Sequence, residues 1–124
     1  MPTYAAAIKT ARMTATRDEV AGGTLEVRDN TDAVLVEYDL TLVGGTVAGD
    51  TWTLAFDETT IAATAAGDAD NIVIKNSGGT VLISGLTVGV SGSGANAIID
   101  NVNIAVGQQV TITSATIQHA ADPA

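Results

Sequence analysis

His119 is the only histidine in this chain of 124 residues, and there is no cysteine. A Ser-His-Asp arrangement needs an imidazole held by a carboxylate beside a nucleophile. A lone histidine five residues from the end is better read as a solvated or packed side chain than as a base. The absence of cysteine excludes disulfides and thiolate metal sites. Carboxylates are plentiful, and Asp57 and Glu58 could be offered as a glycosidase pair, but every acidic chain contains such neighbours. Asp68-Ala69-Asp70-Asn71 places oxygens as closely as a calcium loop does. It lacks the later Gly and Glu of an EF-hand, and turn chemistry is the preferred reading because Asp and Asn bond their own backbone before a strand. Gly92-Ser93-Gly94 is a fragment of a phosphate loop without its lysine, and its flanks read as strands rather than as strand and helix. No enzyme activity, cofactor, metal or small-molecule substrate is therefore expected.

The elements that carry these residues are mostly strands. Gly23 to Leu42 reads as a β-hairpin, and its pattern returns 47 positions later without a gap. Leu25-Glu26-Val27-Arg28-Asp29-Asn30 aligns with Ile72-Val73-Ile74-Lys75-Asn76-Ser77, and Val34-Leu35-Val36 with Val81-Leu82-Ile83. Each unit runs from apolar residues into a basic residue, then a polar turn, then a β-branched run. The two hairpins are expected in related positions, with opposing sheets as one arrangement. The run Ala33 to Val36 suggests a strand covered on both faces before alternation resumes through Tyr38 and Leu40. Val43 to Asp50 reads as a Gly-rich connection, Thr51 to Phe56 as a strand, and Gly89 to Gly94 as a loop. Short strands are expected near residues 60–64, 97–100 and 103–106, with a terminal strand from Val110 to Gln118.

Residues 3–21 carry the only strong helical signal, with Thr3 as a candidate N-cap and Gly22-Gly23 as a stop. Tyr4, Ile8, Ala11 and Ala15 line one narrow face, expected to lie on the sandwich or on another subunit, while Lys9, Arg17 and Asp18 sit opposite.

Composition agrees with an all-β domain. Only Tyr4, Tyr38, Trp52 and Phe56 are aromatic, so Val, Ile, Leu and Ala must fill the core around Trp52. Leu25, Val27, Trp52, Leu54, Phe56, Ile72, Ile74 and Ile112 are the candidate core, with Trp52 and Phe56 at its centre. The two prolines lie at the extreme ends, where they interrupt no sheet. We expect one domain: an N-terminal helical segment (1–22), a single antiparallel β-sandwich (23–119) of about seven or eight strands in jelly-roll or immunoglobulin-like order, and a short tail (120–124). The net charge of −9 would repel phosphate backbones, so nucleic acid is not an expected partner. Lys9 and Arg12 interrupt the N-terminal apolar residues, and no window approaches the ~20 apolar residues of a membrane span, so neither a secretory leader nor a membrane anchor is expected.

The order of features resembles a group of small virion proteins of tailed bacteriophages. The resemblance rests on TARMTATRDEVAGG, GTLEVRDNTDAVLVEYDL, IVIKNSGGTVLISGLTVG and VTITSATIQHA in that order. It implies a non-enzymatic structural role, most simply a capsid decoration or cement protein outside the head, assembled in the bacterial cytoplasm and found in the virion. The implied partners are the major capsid protein and further copies of the chain, with a trimer favoured. Tyr4, Ile8, Lys9, Arg12 and Arg17 would be the shell contact. The alternative is a tail or fibre component binding a receptor or carbohydrate through the loops Val43–Asp50 and Gly89–Asn96.

Overall fold

The computed structural model describes residues 5–118. Helix α1 (Ala6–Val20) precedes eleven strands: β1 (Thr24–Arg28), β2 (Val34–Ala48), β3 (Thr51–Phe56), β4 (Thr60–Ala62), β5 (Gly67–Asp68), β6 (Asn71–Lys75), β7 (Val81–Leu86), β8 (Val88–Gly89), β9 (Ala97–Ile99), β10 (Asn103–Ile104) and β11 (Gln109–Gln118). The fold is all-β, an antiparallel-dominated and nearly closed sheet of sandwich or barrel-like form, with one N-terminal helix. Its main path runs β7-β6-β1-β2-β3-β11-β9-β8, with β4 paired to β11 and a small β5–β10 ladder apart from it. The strand count exceeds the expected seven or eight because β4, β5, β8, β9 and β10 have two or three residues each.

The repeated stretch forms two hairpins that share even their turn bonds. Asp29 and Asn76 hold equivalent places, and the amides of Ala33 and Thr80 each donate to the side-chain oxygen of that residue (3.0 and 2.9 Å). The residue closing each turn is left-handed, Asp32 at φ 68° and Gly79 at φ 86°. Both return strands then share one bulge, and β7 has a second between Ile83 and Leu86, at Gly85 (φ 75°). Val27 and Arg28 face Val36 and Val34, leaving Leu35 extra; Ile74 and Lys75 face Ile83 and Val81, leaving Leu82 extra. The hairpins do not sit in opposing sheets. β1 pairs directly with β6, Glu26 facing Val73 and Thr24 facing Lys75, so the repeats are related by a local two-fold axis within one sheet.

Val43 to Ala48 is not a connection but the second half of β2. The strand bends between Leu40 and Gly45, and then pairs Gly45 to Ala48 with Leu54 to Thr51 of β3. Gly44 and Gly45 make the bend at φ 84° and 121°, and a Cβ on Gly45 would collide with the Thr53 carbonyl. Tyr38 reaches from β2 across the core, its hydroxyl donating 2.7 Å to the Val110 carbonyl of β11. Leu25, Val27, Trp52, Leu54, Ile72, Ile74 and Ile112 are all buried. Phe56, expected at the centre, is only partly buried: it ends β3 and tilts against Tyr38 with ring centroids 5.9 Å apart, so Tyr38 joins Trp52 as the second large core ring.

Candidate functional site

Helix α1 lies across β2 and β3. Ala5 stands at its N-cap without a side-chain cap bond, and Thr3, the expected cap, lies outside the described residues. The face turned to the sheet is not the expected one. Met13 and Val20 are the buried helix residues, whereas Ile8, Ala11 and Ala15 are exposed. Met13 and Val20 bury more area there than Ala11 and Ala15 could, and Ile8, in the first turn, is left outside the contact. Arg17 belongs to the same side. Its Nη1 donates to the Gly45 carbonyl at 3.2 Å, its stem packs where a Cβ on Gly44 would fall, and it pairs with Asp18 at 3.1 Å. The Thr10 hydroxyl donates to the Gly49 carbonyl in the β2–β3 turn.

The expected contact residues are therefore divided. Ile8 (47% exposed) and Arg12 are on the outward side, Lys9 is half-buried, Arg17 is bonded to the sheet, and Tyr4 lies outside the described residues. A stronger apolar feature adjoins the other end of the helix. Leu42 and Val43, at the β2 bend, are 90% and 63% exposed, and Gly22 just beyond α1 lies against the Leu42 side chain. The alternation of Tyr38, Leu40 and Leu42 hid this, since period two assigns Leu42 to the core face and the bend at Leu40 turns it out.

A polar cluster crosses the seam between the hairpins. Glu26 is 3% exposed, and its carboxylate takes Arg28 at 2.7 Å and Lys75 at 2.9 Å. Glu37 faces it in register from β2 and shares a hydrogen bond with it. Burial alone would raise the Glu26 pKa, but hydrogen bonds from Lys75 and Arg28 hold it below the ordinary value. Glu37 is exposed, and partial desolvation by the sheet, then the hydrogen bond and charge of Glu26, push it above that value. Two of the five bases are thus spent inside the sheet, a pairing that spacing alone does not display.

The loop acids meet in an open pocket of about 430 Å³ lined by Asp29, Asn30, Gly67, Asp68, Ala69 and Asp70. Its chemistry is that of turns. Asp29 accepts from Thr31 and Ala33, which holds its carboxyl below the ordinary value, and the Asn71 amide donates to the Asp29 carbonyl and to Asp70. Among the described residues no group of three His, Asp or Glu side chains is placed to hold a metal ion. Asp57 and Glu58 are exposed, Gly92 and Gly94 make a left-handed turn around Ser93, and His119 lies outside the described residues. No described helix is long and apolar enough to cross a membrane. Compared with known proteins, the chain matches no family model, no curated protein and no solved structure.

Proposed function

We propose that this protein is a non-enzymatic structural component of a tailed-phage virion, bound outside the head as a decoration or cement protein. The proposal starts from the order of motifs that resembles such proteins, and one structural observation carries it further. Leu42 and Val43 stand out from a glycine-pinned bend beside the end of α1, on a strand anchored in both halves of the sheet. Large apolar side chains held out into water are what a stabilising contact with a shell surface can bury. The contact assigned to the helix alone is accordingly extended to the Leu42–Val43 bend, with Ile8 as a second point. The receptor-binding alternative relied on two loops, and one of them, Val43–Asp50, is mostly strand.

The test is quantitative mass spectrometry of purified particles, with and without Leu42→Asp/Val43→Asp. The unaltered chain is expected at a fixed ratio to the major shell protein, and the double variant, folded as judged by circular dichroism, at less than about a tenth of that in particles equilibrated well below its dissociation constant, since each lost 1.4 kcal/mol weakens binding tenfold. Absence of the unaltered chain from particles would overturn the role. Undiminished occupancy of the variant would overturn the contact.

A further inference from the structure

The internal repeat gives the second hairpin a reference, because the first shows how its outer edge is covered. In the first, the bulged residue Leu35 is fully buried. The Thr64 amide donates to the Leu35 carbonyl at 2.8 Å, and Gly67 lies so close to the Leu35 side chain that a Cβ there would fall 3.1 Å from its Cδ2. A short, uncharged, small-residue segment, Ala63-Thr64-Ala65-Ala66-Gly67, thus runs along this edge as an extra partner. The equivalent edge is β7. Leu82 holds the same bulge position in the same register, yet it is 46% exposed and Val81 is 42% exposed. β7 ends the sheet path, and no described residue bonds to its outer edge between Val81 and Leu86.

Charge identifies the kind of segment that fits. In a chain of net charge −9, the stretch from Asn76 to Ile99, which includes all of β7, carries no charged residue. The edge also lacks the lysine or proline that commonly blocks strand addition, and the second bulge at Gly85 leaves Val81 to Ile83 as its straight part. An acidic or basic strand would be desolvated there without a counter-charge, while a neutral one is accepted. We propose that the Leu82 edge of β7 is a docking site for an extended, uncharged, Ala/Gly/Thr-rich segment of another polypeptide, seated at Leu82 as residues 63–67 are seated at Leu35. Main-chain bonds to β7 supply the affinity, and a small residue over Leu82 supplies the selectivity. The site does not depend on the virion role.

The probe is a synthetic peptide of the chain's own residues 59–67, TTIAATAAG. It is titrated into the full ¹⁵N-labelled chain to about 1 mM, where a dissociation constant of that order half-fills the site. The expected result is a saturable shift of the Val81–Leu86 amides. That shift is lost in Leu82→Lys and lost with a peptide carrying proline in place of Thr64, which has no N–H to donate. Leu82→Lys alters an exposed position, and an otherwise unchanged spectrum verifies its fold. No shift at β7, shifts centred on Leu35 instead, or shifts that survive Leu82→Lys would overturn the site. Concentration-dependent shifts of β7 without peptide would assign the edge to a second copy and overturn the proposed occupant.

Discussion

Glu26 and Glu37 face each other in register on β1 and β2, yet their environments push them apart. Arg28 on the same strand and Lys75 on β6 stabilise Glu26 as an anion, whereas partial desolvation, then the hydrogen bond and charge of Glu26 and the charge of Asp39, hold Glu37 above its ordinary value. A carboxyl raised in the folded state adds stability below its unfolded value and loses it as pH rises through the raised one. Glu26, lowered, does the reverse: its contribution is present above the unfolded value and fades as pH falls through the lowered one. Together they favour the fold most near the ordinary glutamate value of ~4.3. Glu37→Gln should therefore flatten the fall in melting temperature as pH rises from the ordinary glutamate value through the raised one, while leaving the acid limb set by Glu26. Melting curves across the acid range check this, and an unchanged slope just above the ordinary glutamate value in the variant would show that Glu37 is not its source. None of this is legible from residue types alone, since a glutamate in a strand alternating with leucine and valine reads as solvent-facing. Only the pairing of β1 with β6 brings Lys75 to it.

At the scale of the hairpin, sequence was most informative where local chemistry decides the structure. The offset of 47 residues is realised in strands, turn bonds and bulge alike, because each depends on neighbours within a few residues. The repeat also exposes an imperfection. Asp32 adopts the left-handed conformation that Gly79 adopts in the second turn, and side chains other than glycine are strained there. Asp32→Gly should stabilise the chain by about 0.5–1 kcal/mol, and Gly79→Asp should destabilise it by about as much. Urea denaturation of the two variants checks both signs. The helix was located but its buried face was not. Tyr4, Ile8, Ala11 and Ala15 make a plausible apolar line, but Met13 and Val20 are the helix residues that bury, and the Arg17 stem and Ala21 pack against Gly44, which a one-dimensional pattern cannot show. The Gly-rich stretch 43–50 was misread for a related reason, since glycine marks a loop or a bulge with equal force.

Across the whole molecule, β2 is the one strand that belongs to both halves. Its first part pairs with β1, its second with β3, and Tyr38 ties its middle to β11. The all-β class was readable from alternation, and seven of the eight expected core residues are buried, all but Phe56. The strand order was not, because it depends on the bend at Leu40–Gly45 and on which edges meet. A shared strand leaves neither half able to open alone, so unfolding should be a single transition, with the fluorescence of Trp52 in the second half coinciding with the far-ultraviolet signal of both. Separate midpoints would show that the halves are independent. The same strand carries Leu42 and Val43 at its bend. A load applied at that point enters the molecule through hydrogen bonds on both sides at once, and it is shared between β1 and β3 rather than peeling either one. A protein held there would resist being pulled away as a bracket with two screws does, by distributing force before any single bond carries all of it.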